Sequence, residues 1–121
     1  MAPTNPSSPR AIGTDKEIRA RAFLESQGLR LVASNFRCRV GEIDLIMHDA
    51  DTLVFVEVRF RASMRFGGAL ASVDMAKQRR LIATAGYFLQ QRSLNLPCRF
   101  DILAFGGGER IDWIRDAFHV H

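Results

Sequence analysis

Residues Gly41 to Arg61 read G-E-I-D-L-I-M-H-D-A-D-T-L-V-F-V-E-V-R-F-R. Two runs rich in Val, Ile, Leu and Phe flank a short polar cluster, a pattern typical of two strands joined by a turn. We predict strands over Glu42–His48 and Leu53–Phe60, with the turn over residues 49–52. The sequence therefore predicts a hairpin, around which the remaining segments are organised.

Acidic side chains recur at alternate positions within this hairpin. Alternate residues of a strand share a face, so Glu42 and Asp44 lie together on the first strand, and Glu57 and Arg59 lie together on the second. Aspartate is depleted in strands, and a carboxylate is rarely buried without a partner or a metal. Because the complementary positions are apolar, we predict one face packed under a helix and one face that carries chemistry.

The rest of the chain predicts helices and further strands around the hairpin. A helix is predicted over residues 14–27 with Thr14 as its N-cap, and a second over about 73–92 with Ser72 as its N-cap. Further strands are predicted over residues 29–39, 99–105 and 110–115. The long helix between the third and fourth strands permits a parallel crossover. The order α-β-β-β-α-β-β therefore predicts an α/β fold, with a mixed sheet of about five strands flanked by helices.

Length and composition fit a single globular domain, since the chain has 121 residues, of which 47% are hydrophobic and 25% charged. Residues 1–12 hold three of the four prolines and few apolar side chains, so we predict a disordered tail before one domain over 13–121. The two cysteines have neither zinc-ligand spacing nor the density of a disulfide scaffold. Without a signal core or a membrane-spanning apolar stretch, we expect a cytoplasmic protein that binds no membrane.

The positive charge is concentrated beside the hairpin. The net charge is +4, and residues 59–80 hold six basic side chains against one acidic side chain. This excess fits a polyanionic partner such as nucleic acid, although charged faces are often only solvated. The candidates for phosphate contacts are Arg61, Arg65, Arg79 and Arg80.

Asp44 and Glu57 have the arrangement that a two-carboxylate magnesium site requires. Mg²⁺ and Mn²⁺ prefer oxygen ligands, and the backbone carbonyl of Val58 would supply a third oxygen. Arg59 would stabilise the charge that develops at phosphorus, and Lys77, at the edge of the second helix's apolar stripe, is placed to reach the same site. The spacing leaves a plainer interpretation open, in which Asp44 forms a structural ion pair with Arg59 or Lys77, and Glu57 with Arg61. Asp101, which is also flanked by apolar residues, is expected to pair with Arg99 or with a helix arginine. Glu42 is equally well a third acid or an exposed rim residue.

Several blocks together resemble the YraN-like family of small bacterial proteins. They are N-F-R-C-R, G-E-I-D-L-I, F-V-E-V-R-F-R, a helix that carries a lysine near its start, and R-F-D-I-L, and the resemblance spans roughly Gly13 to Phe118. That family is related to the restriction-endonuclease-like superfamily, with its PD-(D/E)xK site, and to Holliday-junction-resolvase-type nucleases. The resemblance implies the restriction-endonuclease-like fold and a Mg²⁺-dependent endonuclease for structured or branched DNA, of use in DNA repair or recombination. Nucleases of this type commonly act as homodimers.

The resemblance assigns roles to individual residues. Asp44 and Glu57 map onto the metal-binding acids, Glu17 onto an accessory acid, Lys77 onto a basic helix position, and Arg59 onto the position that is Lys in the superfamily pattern. Arginine has a pKa above about 12 and does not act as a neutral base. Two hypotheses follow, a metal-dependent endonuclease and a catalytically inactive nucleic-acid-binding or adaptor module that keeps the nuclease fold.

Overall fold

The computed structural model describes residues 9–60 and 68–119, with side chains from residue 15 onward. Its elements are α1 (Pro9–Ser26), β1 (Arg30–Cys38), β2 (Gly41–Asp49), β3 (Thr52–Phe60), α2 (Gly68–Ala71), α3 (Met75–Gln91), β4 (Cys98–Phe105) and β5 (Ile111–Phe118). The predicted order is confirmed, with the short α2 added to it. No helix in these two ranges is long and apolar enough to cross a membrane.

The five strands form one mixed sheet in the order β1-β2-β3-β4-β5. Strands β1, β2 and β3 are successively antiparallel, β3 and β4 are parallel, and β4 and β5 are antiparallel. A parallel pair needs a crossover connection, and the segment that contains α2 and α3 provides it. The predicted mixed α/β sheet is therefore confirmed.

Both faces of the sheet are packed. One core cluster joins the sheet to α3 and includes Phe55, Phe88 and Ile102, whereas the other joins it to α1 and includes Leu24 and Val56. The expectation that one face of the hairpin is left for chemistry was wrong, because α3 covers the face that bears Glu57. The reason lies in β3, where both sets of alternate residues are apolar for most of the strand and both need cover.

The start of β2 lies unusually close to α3. A Cβ atom built on Gly41 would lie 2.8 Å from Thr84 Oγ1 and 3.7 Å from the carbonyl oxygen of Arg80. Strand alternation would place Ile43 on the same face as Leu45, but Ile43 packs in the α3-side cluster and Leu45 in the α1-side cluster. The alternation is therefore interrupted between these two residues, at Asp44.

The helix starts differ from the predicted ones. Helix α1 begins at Pro9, so Thr14 is not its N-cap. Asp74 rather than Ser72 caps α3, and its carboxylate accepts a hydrogen bond from the backbone N–H of Lys77 at 2.8 Å. Residues 1–8 and 61–67 lie outside the described part of the chain. The disordered tail was predicted over residues 1–12, and α1 already includes residues 9–12. For residues 1–8 the disorder stays a prediction.

Candidate functional site

The hairpin opens where its carboxylates lie. Strands β2 and β3 pair from the turn as far as Leu45 and Val56. Beyond that point the backbone N–H of Val58 donates to Asp44 Oδ2 at 2.8 Å, while β3 continues to pair with β4. The side chain of Asp44 thus takes the place of a backbone acceptor in the gap between the two strands.

Glu57 lies next to Asp44 in this gap, and only 5% of its surface is exposed. Burial, a hydrogen bond to the carboxyl of Glu57 and the negative charge of Glu57 raise the pKa of Asp44 to about 8. The hydrogen bond from Val58 acts in the opposite direction, and the charge of Glu42 adds a small further increase. At neutral pH Asp44 therefore keeps its proton beside Glu57.

Lys77 brings a positive charge to the same place. It lies in the first turn of α3, and its Nζ is 3.1 Å from Glu57 Oε2. That oxygen is buried, and no aligned hydrogen-bond donor reaches it within the described residues. The ion pair therefore leaves Glu57 Oε2 with unused acceptor capacity.

Arg59, which the resemblance maps onto a lysine position, contacts the segment before α3. One of its terminal guanidinium nitrogens donates to the carbonyl oxygen of Ser72 at 3.0 Å. Its Nε is buried, and no hydrogen-bond acceptor contacts it in residues 9–60 and 68–119. Arg59 thus ties β3 to the connection between α2 and α3, and it forms no salt bridge with the described carboxylates.

The other two predicted acids, Glu17 and Glu42, have partners outside the group of Asp44, Glu57 and Lys77. Glu17 of α1 accepts a hydrogen bond from Asn35 of β1, and Glu42 is paired with Arg37. The described side chains contain no cluster of three or more His, Cys, Asp or Glu residues that could hold a metal ion. The structure therefore brings together Asp44, Glu57 and Lys77, but it does not bring Glu17 into that group.

The predicted phosphate contacts are partly described. Arg79 and Arg80 lie exposed on α3, and no carboxylate of the described ranges is within salt-bridge distance of either. Arg61 and Arg65 lie outside the described residues. The exposed pair is two to three residues beyond Lys77 on the same helix.

Asp101 shows what a structural buried acid looks like in this protein. It is 1% exposed and accepts hydrogen bonds from Arg99 Nε at 3.0 Å, Trp113 Nε1 at 3.0 Å and the backbone N–H of Asp116 at 2.9 Å. Arg99 also binds Asp49 at 2.7 Å. Of the partners expected for Asp101, Arg99 or a helix arginine, the structure shows Arg99, and the pair lies on the α1 side of the sheet.

Two structural contacts around the site were missed from sequence. Asn35 adopts a φ of 53° inside β1, opposite the part of β2 that contains Asp44, and it binds Glu17. Asparagine tolerates this left-handed region better than most residues, so an Asn within a strand pattern was the available signal. Ser72 acts through its backbone carbonyl, and no side-chain pattern reveals such a role.

The part of the chain that matches known proteins includes all residues of the site. The model of the uncharacterised protein family UPF0102 matches residues 16–105. UPF0102 proteins of Nitrosomonas europaea and Ralstonia nicotianae are 55% and 54% identical, over 88% and 95% of this chain and 92% and 93% of theirs. One from Pseudomonas putida is 48% identical over 93% of this chain and 96% of its own. The chain therefore belongs to the uncharacterised protein family UPF0102, the YraN-like family that its sequence blocks resemble.

Proposed function

We propose that this protein is a Mg²⁺-dependent endonuclease that hydrolyses phosphodiester bonds of structured or branched DNA, with Asp44 and Glu57 as the metal ligands. The observation that carries the proposal is the contact between two buried carboxyls in the gap of the hairpin, with the pKa of Asp44 raised to about 8. Like charges placed together in a buried site destabilise a fold. Such pairs are typical of functional sites, where a cation or a shared proton offsets the repulsion.

The donor set fits a hard divalent cation. Both carboxylates offer oxygen, and the buried Glu57 Oε2 has acceptor capacity that no aligned donor of the described residues fills. The N–H of Val58 points at Asp44, and the carbonyl of a strand residue points to the same side as its N–H, so this carbonyl also faces the gap. Mg²⁺ and Mn²⁺ prefer such ligands, and Mg²⁺ retains waters beside a small number of carboxylates.

The residues of the site would have different roles in phosphodiester hydrolysis. A divalent ion held by Asp44 and Glu57 would polarise a phosphoryl oxygen and make a water molecule more acidic. The ammonium of Lys77, held 3.1 Å from Glu57, would orient the scissile phosphate and stabilise the negative charge that develops on it. Arg59 acts through the carbonyl of Ser72, so it positions the start of α3 and with it Lys77. In this proposal the lysine of the site comes from the helix instead of from the strand.

The decisive experiment is cleavage by matched isosteric variants. Purified protein is incubated with branched, single-stranded and duplex DNA in Mg²⁺, Mn²⁺ or EDTA, beside Asp44→Asn and Glu57→Gln. We expect cleavage that requires the ion and is lost in both variants, whereas the exposed Glu25→Gln on α1 serves as the control and keeps activity. Calorimetric titration with Mn²⁺ gives a second measurement, in which Asp44→Asn abolishes binding. Cleavage that survives both substitutions rejects the assignment.

A second candidate function is a catalytically inactive nucleic-acid-binding or adaptor module. Its support is Arg59, which the resemblance maps onto the lysine position of the nuclease pattern. The guanidinium of Arg59 donates a hydrogen bond to the carbonyl oxygen of Ser72. This hypothesis predicts DNA binding with a clear salt dependence and no cleavage in either metal. If DNA does not bind even at low salt, the nucleic-acid-binding role is rejected and the adaptor role is the one supported. Under both hypotheses we expect the protein in the cytoplasm. The expected homodimer is tested by sedimentation of the same preparation.

A further inference from the structure

One side of α3 presents an aromatic ring and a positive charge next to β1. Arg80 and Tyr87 are seven residues apart, which is about two helical turns or about 10 Å along the axis, so they lie on the same side of α3. Tyr87 is 50% exposed, and its ring rests on Phe36 of β1 with a centroid distance of 6.4 Å. Phe36 in turn packs edge-to-face on the buried Phe88. The tyrosine ring is therefore supported from beneath while part of it faces solvent.

The turn between β1 and β2 lies beside Arg80. Gly41, the first residue of β2, approaches α3 so closely that an added Cβ would be 3.7 Å from the Arg80 carbonyl oxygen and 3.8 Å from its Cβ. The two residues that precede it, Arg39 and Val40, form the turn, and both are exposed. We use the name α3–β1 surface for the exposed residues Arg80 and Tyr87 of α3 together with Arg39 of the adjoining turn.

This surface is positive and begins at the candidate metal site. Within residues 15–60 and 68–119, no carboxylate lies within salt-bridge distance of Arg39, Arg79 or Arg80. Lys77, which contacts Glu57, precedes Arg80 by one turn on the same helix. Along α3 the order is therefore the carboxylate site, then the arginines, then the tyrosine, over about 15 Å.

We propose that the α3–β1 surface binds an unpaired nucleic-acid strand, with Arg39 and Arg80 at its phosphates and Tyr87 stacked against one of its bases. Phosphate contacts alone would suit a duplex equally well. The ring decides between the two, because a base stacks on a protein aromatic only when it has left the duplex stack. Only the direction of the strand, from Tyr87 towards Asp44 and Glu57, rests on the proposed nuclease function.

Binding is measured by fluorescence anisotropy in EDTA, so that neither metal nor cleavage enters the result. The probe is a labelled oligo-dT of about 12 nucleotides, within the site sizes usual for single-strand binding. We expect Tyr87→Ala to weaken binding about 5- to 150-fold and Tyr87→Phe to preserve it. With an abasic strand of the same length, which keeps the phosphates and lacks the bases, Tyr87→Ala should have no effect. A general structural role of Tyr87 would weaken both probes alike.

The arginines are tested through the salt dependence of the same binding reaction. Arg39→Gln and Arg80→Gln should each lower the slope of log K against log salt by about 0.7, the value for one contact to a single strand. Arg115→Gln is the matched control, because Arg115 is exposed on β5 at the opposite edge of the sheet and should leave the slope unchanged. Equal slopes in wild type and both test variants overturn the assignment of the arginines.

The results for this surface and for the nuclease function are separable. Wild-type affinity of folded Tyr87→Ala for oligo-dT, or equal loss on the abasic strand, overturns the single-strand proposal even if the protein cleaves DNA. Binding that depends on Tyr87, together with no cleavage in Mg²⁺ or Mn²⁺, supports it and rejects the nuclease function. A thermal transition measured for each variant shows that loss of binding is not loss of folding.

Discussion

The same substitution at two buried aspartates should change the stability of this protein in opposite directions. At Asp44 the folded state raises the pKa from 3.8 to about 8, chiefly through burial and secondarily through the hydrogen bond and charge of Glu57. At about pH 7 the folded chain holds a proton on Asp44 that the unfolded chain releases, and this lowers the free energy of unfolding. The pH lies about 3 units above the unfolded pKa, and at about 1.4 kcal/mol per unit the loss is at most about 4 kcal/mol. Asp44→Asn removes this penalty and weakens the hydrogen bond from Val58, by about 1 kcal/mol. We expect a net gain of about 1–3 kcal/mol.

At Asp101 the balance is reversed, because the carboxylate has a cation and several donors. Asp101→Asn leaves the half-buried Arg99 without its bidentate partner, and it turns an amide NH₂ towards Trp113 Nε1 or towards the backbone N–H of Asp116. Breaking a buried pair in this way costs about 3–5 kcal/mol. The two variants therefore separate a carboxylate kept for function from one kept for structure.

The assay is urea unfolding followed by far-UV circular dichroism at several pH values between about 5 and 8. Over this window the folded state binds more protons at Asp44 than the unfolded state, so the contribution of Asp44 makes the wild type less stable as the pH rises. Asp44→Asn lacks that contribution, and the difference between the two proteins should widen with pH. Parallel pH dependences, or an Asp44→Asn variant less stable than wild type at about pH 7, would refute the reasoning.

Three further outcomes are expected. Gly41→Ala should lower the free energy of unfolding by about 1–3 kcal/mol, because its Cβ would lie 2.8 Å from Thr84 Oγ1. Gly86→Ala is the control, because nothing lies within 4 Å of its Cβ, and it should raise the free energy of unfolding by about 0.5–1 kcal/mol in the same urea titration. Lys77→Met should lower the free energy of unfolding by about 1–3 kcal/mol in the same titration, because it leaves the buried Glu57 without its cation; a variant as stable as the wild type contradicts this. Added Mg²⁺ should raise the melting temperature of the wild type and EDTA should reverse the change, as measured by differential scanning calorimetry.

Local patterns predicted the strands well because each depends on alternation over a few neighbouring residues. The hairpin, the strand order along the chain and the long helix between β3 and β4 follow from such runs. The helix starts were predicted less well. Ser72 and Asp74 are both good capping residues, and which of them caps α3 depends on where α2 ends and on the bond from Arg59 to the Ser72 carbonyl. Neither of these is a property of the local sequence.

The candidate site divides in the same way. The positions of Asp44 and Glu57, acids at alternate places on two adjacent apolar strands, are readable from residues 41–61, since strand periodicity is local. The folded structure alone decides that the strands separate at Val58, that Lys77 reaches Glu57, and that Arg59 turns to Ser72. These contacts join residues far apart in the chain, and their geometry depends on how α3 packs on the sheet. The sequence identifies the acids of the site, and the packing of α3 selects the cation that accompanies them.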